Sequence, residues 1–580
     1  MSSAHDHLGR IGRPGCPAIF VCYRNSLPVS SKVTDYVRTT IDRAQGRSMV
    51  LSTGGIAASE HPLASQAGAS ILARGGNAVD AAIAVNAVMG VVAPMMNGVG
   101  GDLFAIVYDA SSGELHGLNA SGWSPAALTI DRLRLSGVTM MPQTGINSVT
   151  VPGAVAGWSM LNARFGRVSL ADVLSPAIHI ADEGFPVAEI TAAEWRGGEP
   201  LLRNDGEALR VFLPGGQAPA IGQVFRNPDL AATYRRLASE GRDAFYRGPI
   251  ARRIIRCAET HGGALTGEDL SAYDAEWVAP LSTTYRGWTI SELPPNGQGI
   301  AALMMLNILE RFSLPSFGHN SAEALHLLIE AKKLAYADMA RCVCDPSFHD
   351  VPIAAMLSKA YAAGRAREID PSRAHPGVLP GELSAVGGDT TYLSVVDRDG
   401  NMVSLIQSIF ASFGSGLVPD GAGFVLQNRG GLFTMDPAHP NALAPRKRPL
   451  HTIIPGFMTA GDARIAFGIM GGWNQSQAHA QFVSNVIDHG MNIQAALEAA
   501  RMTKLTFAGC DVTIESRVPE PVRRELSAKG HEIDLRGPFS SLVGGGQSVM
   551  RDYASGVNYG ASDPRKDGAA IPEPVAFPRG

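Results

Sequence analysis

The segment Gly387-Gly388-Asp389-Thr390-Thr391 brings together the residue types that covalent chemistry at a carbonyl group requires. A hydroxyl group follows an abrupt change from a glycine- and proline-rich stretch to a run that is typical of a β-strand. Threonine alone is a poor nucleophile, because its hydroxyl keeps its proton near neutral pH. A free α-amine, with a pKa of about 8, is a suitable base beside such a hydroxyl. Cleavage of the chain between Asp389 and Thr390 would create that amine.

A β-hairpin is predicted directly after this threonine. Asp399-Gly400 is a strong turn signal, and the runs on both sides of it are β-branched and apolar. A two-residue loop would pair Thr391 with Ser408, and a four-residue loop would pair Thr390 with Gln407. In either register the Ser408 hydroxyl lies beside the two threonines. A threonine with a purely structural role is the alternative, because strands are rich in threonine.

Two glycines offer backbone N–H groups to the same chemistry. An apolar, strand-like run at residues 463–467 leads into Gly468-Ile-Met-Gly-Gly472. The N–H groups of Gly471 and Gly472 could point together at an oxyanion. Other catalytic patterns do not occur in the sequence, which contains neither H-E-x-x-H nor a Walker loop. Ser124 resembles the serine of a nucleophile elbow, but Pro125 has no N–H with which to stabilise an oxyanion.

Composition and charge exclude several functional classes. The 580 residues carry a formal charge of −4, which argues against a nucleic-acid partner. Six cysteines are too sparse for a disulfide scaffold, and the lone C-x-C of Cys342 and Cys344 predicts idle thiols rather than a metal site. The most apolar run, residues 81–96, is too short to span a membrane, so no membrane partner is expected. We expect no signal peptide, and this favours the cytoplasm. No cofactor is expected either, because an N-terminal amine and backbone N–H groups would supply the base and the oxyanion site.

The elements that must position these groups are predicted from periodicity. Residues 65–90 are expected to be helical with a break at Gly75-Gly76-Asn77, and residues 103–108 to form a strand. An alternation of helices and strands is predicted to extend to about residue 310, and the clearest amphipathic helix follows it at residues 323–341. Residues 350–388 are expected to be a loop. Residues 1–48 show no periodicity and are predicted to be a flexible N-terminal extension. Two further helices are expected near residues 478–489 and 493–502.

Several of these motifs together resemble the γ-glutamyltransferase family of N-terminal nucleophile hydrolases, over about residues 49–560. Each motif alone is weak, but their order and spacing are specific. The similar segments are Thr390-Thr-Tyr-Leu-Ser-Val-Val-Asp-Arg-Asp-Gly-Asn401, Phe413-Gly-Ser-Gly416, Arg446-Lys-Arg-Pro449, Gly468-Ile-Met-Gly-Gly472, Ser148-Val-Thr-Val-Pro-Gly153 and Glu330-Ala-Lys-Lys-Leu-Ala-Tyr-Ala-Asp338.

The resemblance implies an α/β fold, the four-layer αββα sandwich. It also implies a precursor that cleaves itself between Asp389 and Thr390, leaving a large subunit of residues 49–389 after the extension and a small subunit of residues 390–580. The two products would remain together as an intertwined heterodimer. Thr390 would be the catalytic nucleophile in a ping-pong reaction through an acyl-enzyme. Ser408 would support its amine and hydroxyl, and Gly471 and Gly472 would form the oxyanion site.

The substrate pocket departs from the pattern of the best-known members of this family. Phe410 takes the place of an asparagine, and Arg429 and Leu432 replace a glutamine and an aspartate. His451 and Thr452 replace a pair of serines. The exchange removes an acidic group that would bind an ammonium and adds a cation that can accept a carboxylate in bidentate fashion. A structural salt bridge is the alternative role for Arg429.

Three functional interpretations follow from the resemblance. The chain is expected to hydrolyse γ-glutamyl-type or other small carboxylate-bearing amides. Its pattern is most similar to the branch of oxamate amidohydrolases and cephalosporin acylases, which is the first alternative. A non-catalytic relative that retains the fold as a scaffold is the second. The retention of Thr390, Ser408 and the Gly471-Gly472 pair favours an enzyme.

Overall fold

The computed structural model describes residues 45–377 and 389–575, with only the backbone of Asp389. Most of the predicted N-terminal extension lies outside these residues. So do Gly387 and Gly388 of the predicted cleavage segment. Thr390 and every other predicted site residue after it lie within the described part.

The strands fall into two large sheets and two small ones. Their bounds are β1 Val50–Ser52, β2 Ile56–Ser59, β3 Asp102–Asp109, β4 Glu114–Ala120, β5 Phe185–Pro186, β6 Val224–Phe225, β7 Glu276–Val278, β8 Leu281–Tyr285, β9 Trp288–Glu292, β10 Asp389–Val396, β11 Met402–Phe410, β12 Gly456–Ala460, β13 Ala463–Ile469, β14 Met502–Thr503, β15 Asp511–Glu515, β16 Glu532–Arg536, β17 Gly546–Asp552, β18 Val557–Ser562 and β19 Ala569–Pro572.

Helices cover the outer faces of the large sheets. Their bounds are α1 Pro62–Ala73, α2 Ala78–Val92, α3 Ile130–Leu135, α4 Ala154–Phe165, α5 Leu170–Glu183, α6 Glu189–Leu202, α7 Gly206–Phe212, α8 Pro228–Glu240, α9 Asp243–Tyr246, α10 Pro249–Thr260, α11 Gly267–Ser271, α12 Gly299–Leu309, α13 Leu314–Phe317, α14 Ala322–Cys342, α15 Ile353–Met356, α16 Lys359–Ala366, α17 Gln475–Ile487, α18 Ile493–Glu498 and α19 Glu520–Ala528.

The two large sheets stack face to face. Sheet A has the order β1-β18-β17-β13-β12-β9-β8, and sheet B has the order β19-β2-β10-β11-β3-β4-β7. An apolar core between them includes Phe104, Tyr392, Phe457 and Val549, all of them buried. Helix α2 packs on β10 and β11 of sheet B, whereas α12, α17 and α18 pack on sheet A. This arrangement confirms the predicted αββα sandwich.

Both sheets interleave strands from before and after residue 389. In sheet B, β10 pairs with β2 and β11 pairs with β3. In sheet A, β12 pairs with β9 and β18 pairs with β1. A cut before Thr390 would therefore leave two pieces that each contribute strands to both sheets and side chains to the core between them.

Helix α2 shows why the first predicted helical segment breaks where it does. Gly75 adopts a φ of 94° after α1, a conformation that a side chain disfavours. Asn77 then caps α2 and forms a capping box with Asp80. All fifteen residues of α2 are buried, because it lies between sheet B and other helices. The break is confirmed, and so is the strand that contains residues 103–108.

The long helix predicted at residues 323–341 is α14, Ala322–Cys342, and it begins at a Ser321 cap. Three expectations were wrong in whole or in part. Helices α15 and α16 interrupt the segment predicted to be a loop, because the alanine-rich run of α16 has a Ser358 cap that outweighs the surrounding glycines and prolines. Between β4 and β7, helices replace the predicted alternation, apart from the short β5–β6 pair. The helix expected at residues 493–502 ends at Glu498, and Met502 lies in β14.

The predicted hairpin is formed by β10 and β11, but in a register between the two that the sequence suggested. Val396 pairs with Met402 and Thr391 pairs with Gln407, so the loop has the five residues 397–401. Asp397 holds this wider loop by accepting a hydrogen bond from the Asn401 N–H at 2.9 Å. Asp389 pairs with Phe410, so a β-bulge places both Ser408 and Ile409 opposite Thr390. The expected position of Ser408 beside the threonines is therefore confirmed.

Gly101 provides a test of how tightly this region is packed. It closes the glycine-rich turn before β3, where its N–H donates to the Gly98 carbonyl at 3.0 Å. A Cβ atom at Gly101 would clash with the Ser408 carbonyl and lie 3.1 Å from the Ile409 side chain. We expect Gly101→Ala to lower the free energy of unfolding by roughly 1–3 kcal/mol through overpacking. Thermal denaturation measures the effect.

Gly197 supplies the matched control for this substitution. It lies in α6, where an added Cβ would meet no atom within 4 Å. Gly197→Ala should leave the melting temperature unchanged or raise it, because alanine is favoured over glycine in helices by about 1 kcal/mol. Equal melting temperatures for the two variants would contradict the packing argument.

Candidate active site

Thr390 lies at the bulged start of β10, with its hydroxyl directed at β11. Its Oγ1 donates a hydrogen bond to Ser408 Oγ at 3.3 Å, and both residues are fully buried. Ser408 Oγ in turn accepts from the Phe410 N–H at 2.7 Å. The bulge makes this possible, because it turns the Ser408 hydroxyl toward the strand end instead of along the regular ladder. The structure thus joins the predicted nucleophile and its predicted supporting hydroxyl.

Phe410 adopts a strained backbone conformation next to this pair. Its φ is 78°, which is uncommon for a residue with a bulky side chain. Such strain persists only where the surrounding structure enforces it, and it is concentrated at functional sites. The Phe410 ring lies under the Arg429 guanidinium, with 4.6 Å between the guanidinium carbon and the ring centroid. The ring is therefore a platform for the cation.

Arg429 is completely buried and only partly satisfied. Its Nη1 donates to Thr452 Oγ1 at 2.7 Å. Its Nε lies 4.0 Å from Asp102 Oδ2, too far for a hydrogen bond. Among the residues that the structure describes, Nε and Nη2 have no hydrogen-bond partner. Burial lowers the pKa of Arg429 to about 9, against the opposing effect of Asp102, so the group remains charged near neutral pH. Two donors of a buried cation are left for an anion.

Asp102 organises the opposite side of the guanidinium. Its carboxylate accepts hydrogen bonds from the Gly122 N–H, Gln427 Nε2 and His451 Nε2, at 2.9, 2.8 and 2.9 Å. Burial, and then the Arg429 cation, lower the pKa of His451 to about 4, so its ring is neutral. His451 Nδ1 accepts from the Ile453 N–H. The structure therefore places His451 on the Asp102 side of Arg429, where it stabilises the Asp102 carboxylate by a hydrogen bond.

The Gly471-Gly472 pair follows β13 in a conformation that glycine favours. The two φ angles are 115° and 58°. Neither backbone N–H donates a hydrogen bond within the described chain. Gly468, three residues earlier, packs against the ring of Tyr392 on β10. Two backbone donors are thus left without partners among the described residues, just after a strand that is stacked against the one carrying Thr390.

A single side chain connects the glycine pair with the Arg429 group. Gln298 Nε2 donates to the Gly472 carbonyl at 2.8 Å and also to the Thr452 carbonyl. Thr452 holds Arg429, and Arg429 covers Phe410. Direct contacts therefore run from Gly472 through Arg429 to the Ser408–Thr390 pair.

A cavity of about 550 Å³ opens beside these groups. Gly431 and Leu432 line it from the turn that begins at Arg429, and Trp473 lines it from the residue after Gly472. Its wall also includes Met140, Met141, Phe433 and Met435, with Arg134 and Asp436 among the lining residues. Thr139, Gln143 and Thr434 line it as well, so its wall is polar and apolar in similar measure. The cavity is large enough for more than a two-carbon substrate.

Sequence reasoning missed three residues of this region. Asp102 is a charged residue at the head of an otherwise apolar strand, and that position was its only signal. Gln298 stands at the start of a buried helix and gave no signal. Glu60 precedes α1, and its Oε1 accepts a hydrogen bond from the Tyr392 N–H at 2.8 Å. These residues come from distant parts of the chain, so only the tertiary structure brings them to the site.

One group of potential metal ligands occurs in the described part of the chain, away from Thr390. His326, Glu330 and His531 are buried near one another. His326 Nδ1 and His531 Nε2 are 2.8 Å apart, and the Lys333 ammonium lies 2.7 Å from Glu330 Oε1. That ammonium already supplies a cation beside the carboxylate, so the group has a structural explanation. In the same part of the chain, no helix is both long and apolar enough to cross a membrane.

Comparisons with known proteins agree with this geometry. The sequence model of the gamma-glutamyltranspeptidase family matches residues 64–573. The glutathione hydrolase-like YwrD proenzyme of Bacillus subtilis strain 168 is 37% identical over 90% of this chain and 99% of its own length. The oxamate amidohydrolase proenzyme of Klebsiella pneumoniae is 34% identical over 90% of this chain and 98% of its own.

A solved structure extends the comparison to the fold. The cephalosporin acylase of Bacillus halodurans superposes with a TM-score of 0.86 at 40% identity, covering 93% of this chain and 99% of that one. Thr390, Arg429 and the Gly471-Gly472 pair all lie within the residues that the family model matches. The chain belongs to the gamma-glutamyltranspeptidase family of enzymes.

Proposed function

We propose that this protein is a self-processing amidohydrolase that uses Thr390 as an N-terminal nucleophile and prefers amides whose acyl part carries a carboxylate. The single observation that supports this most strongly is the buried Arg429, with two unpartnered donors and direct contact to Phe410 beside the Ser408–Thr390 pair. γ-Glutamyl amides are the related substrate class, and they differ by an ammonium next to the carboxylate.

Maturation would begin with attack of Thr390 Oγ1 on the carbonyl carbon of Asp389. The peptide C–N bond breaks as the ester forms, and the proton of the hydroxyl passes to the freed amine. Water then hydrolyses the ester, which releases the Asp389 carboxyl group and restores the Thr390 hydroxyl. The product is a free α-amine attached to the nucleophile itself, the base that an unactivated hydroxyl requires.

Turnover would use the same atoms on an external amide. The α-amine takes the Thr390 Oγ1 proton as the oxygen attacks the carbonyl carbon. The N–H groups of Gly471 and Gly472 are suited to stabilise the oxyanion, because they have no other acceptor within the described chain. The protonated amine then gives its proton to the leaving nitrogen. Water, or a second amine, releases the acyl group from Thr390.

Charge at Arg429 favours substrates without an ammonium. A γ-glutamyl ammonium placed beside this guanidinium would lose hydrogen bonds and meet a like charge, a cost on the order of 2 kcal/mol or more. That corresponds to a roughly thirtyfold handicap in specificity. Leu432, which lines the cavity, cannot accept a hydrogen bond from an ammonium. The cavity also has room for an amine larger than ammonia, which favours acylase-type substrates over oxamate.

Self-cleavage can be tested directly by intact-mass analysis. The purified protein is expected to contain a small subunit that begins at Thr390 and ends at Gly580. Thr390→Ala should remain a single chain of 61.0 kDa, because the attacking hydroxyl is absent. Cleavage of this variant at the same bond would show that Thr390 is not the processing nucleophile. A stable single chain for the unaltered protein would favour the scaffold alternative.

Substrate preference can be tested with two chromogenic amides. We expect a higher kcat/KM for glutaryl-p-nitroanilide than for γ-glutamyl-p-nitroanilide. Arg429→Gln should lower kcat/KM for the glutaryl amide roughly thirtyfold, because a charged hydrogen bond of about 2 kcal/mol is lost. Its effect on the γ-glutamyl amide should be smaller.

Arg429→Lys serves as the matched control for this measurement. It keeps the charge but loses the forked donor geometry, so its effect should lie between the unaltered enzyme and Arg429→Gln. Thermal denaturation and the cleaved fraction show whether each variant folds. Strong γ-glutamyl hydrolysis that does not change in Arg429→Gln would contradict the assignment of Arg429.

Dependence on a metal is the third test. The proposed reaction takes its base from the Thr390 amine and its oxyanion site from the backbone, so it needs no Lewis acid. Dialysis against EDTA should therefore leave the hydrolysis rate of glutaryl-p-nitroanilide unchanged. Loss of activity in EDTA followed by recovery with zinc would contradict this chemistry.

A further inference from the structure

Glu60 lies where β2 would continue beside Thr390. Strands β2 and β10 are antiparallel, with Ser394 opposite Ala58, so the same register puts residue 60 opposite residue 392. The main chain leaves the sheet at this point, because His61 caps helix α1 and Pro62 begins it. The Glu60 side chain completes the pairing instead, and its Oε1 accepts from the Tyr392 N–H at 2.8 Å.

Strand geometry puts the nitrogen of Thr390 on the same edge. In a strand, the N–H groups of residues i and i+2 point to the same side. The Tyr392 N–H points toward Glu60, and so the nitrogen of Thr390 faces the β2 side as well. In the described ranges 45–377 and 389–575, no strand pairs with β10 on the β2 side at that position, since the chain has entered α1. The Glu60 carboxylate, bound to the Tyr392 N–H, lies two residues along this same edge.

We propose that Glu60 is a positioning residue that binds the α-amine of Thr390 after the chain is cut. This inference rests on the proposed function, because only cleavage turns the Thr390 nitrogen into an amine. An amine acting as a base must direct its lone pair at its own hydroxyl. A carboxylate that accepts one of the two N–H hydrogens fixes that orientation, while Ser408 holds the hydroxyl from the other side.

Other ionisable groups surround β10, and they are the same in every variant at position 60. Gly568 packs against Glu60, and just before it Lys566 donates to Glu194 Oε1 while Asp567 accepts from the Ile190 and Thr191 N–H groups. On the other sheet, Glu292 binds His479 Nδ1 at 2.7 Å.

Strand β11 has no charged residue, and the single charged residue of α2 is Asp80, at the end near the hairpin loop. The charged residues of β13 and β17 are Arg464, Arg551 and Asp552. They lie where β13 begins and β17 ends, at the end of these two paired strands farther from Thr390. Burial lowers the pKa of His61 to about 4, so its ring is neutral. Asp102, beyond Ser408, accepts three hydrogen bonds elsewhere.

Cleavage itself adds one more charge, the new carboxyl group of Asp389. It belongs to the other subunit and is present equally in every variant considered below. A comparison between variants at position 60 therefore isolates the effect of the Glu60 charge.

The acid limb of the pH–rate profile tests this role. A carboxylate within about 4–6 Å favours the protonated amine, and its loss moves the amine pKa down by about 1 unit or more. Glu60→Gln keeps an acceptor for the Tyr392 N–H but removes the charge. We expect this variant to be cleaved normally and the acid limb of kcat/KM to shift to lower pH by about 1 unit. Glutaryl-p-nitroanilide is the substrate, because it has no amine that titrates in this range.

Glu573→Gln is the matched control. Glu573 is also a buried carboxylate that accepts a backbone N–H beside β2, from Gly55 at 2.9 Å, but it lies at the opposite end of that strand. Its substitution should leave the acid limb in place. Glu60→Asp, which keeps the charge on a shorter side chain, should give an acid limb closer to that of the unaltered enzyme than Glu60→Gln does.

Two outcomes would overturn the inference. A cleaved and active Glu60→Gln enzyme with an unshifted acid limb would show that Glu60 only supports the sheet. An uncleaved Glu60→Gln chain would show that the carboxylate acts on the precursor, in which the Thr390 nitrogen is an uncharged amide. Failure of the proposed function would be seen in a different protein, the unaltered enzyme. If that enzyme is active without a free Thr390 amine, the proposed function is wrong, and the inference about Glu60 falls with it.

Discussion

Strand β10 is hydrogen-bonded on both sides, to β11 and to β2, and this double pairing is the constraint on which the candidate site depends. The pairing with β11 ends in a bulge that directs Ser408 at Thr390. The pairing with β2 ends where helix α1 begins, and at this edge the Glu60 side chain continues the ladder by binding the Tyr392 N–H. A chain cut at this point keeps its new end in place because the sheet already holds it.

A second constraint is electrostatic. A buried guanidinium is tolerated only with compensating charge and hydrogen bonds, and here Asp102, Thr452 and the Phe410 ring provide part of that compensation. The remainder is left for a ligand, and a carboxylate supplies both charge and geometry. The neutral His451 ring stabilises Asp102 without adding another cation. Substrate preference in this account therefore follows from one incomplete ion pair, and the strained Phe410 backbone keeps the ring in position beneath it.

Local signals in the sequence predicted much of this arrangement. Turn chemistry at Asp399-Gly400 between β-branched, apolar runs gave the hairpin. The Gly75-Gly76-Asn77 signal gave the break between α1 and α2, and helical periodicity gave α14, because these signals act within a short stretch of chain. The register was not predictable, since it depends on how the Asp397 side chain closes a five-residue loop. Asp102 and Gln298 were not predictable either, because their roles arise from contacts between distant segments. The site roles of Thr390 and Arg429 came from a family resemblance and remain predictions.

The central claim is that the acyl group passes through Thr390. The most direct measurement is acid quenching of the enzyme during steady-state hydrolysis of glutaryl-p-nitroanilide, followed by mass spectrometry of both subunits and of their peptides. The account predicts a small subunit heavier by one glutaryl group, with the adduct on the peptide that begins at Thr390. Rapid turnover with no acylated species, or an adduct on any other residue, would contradict it.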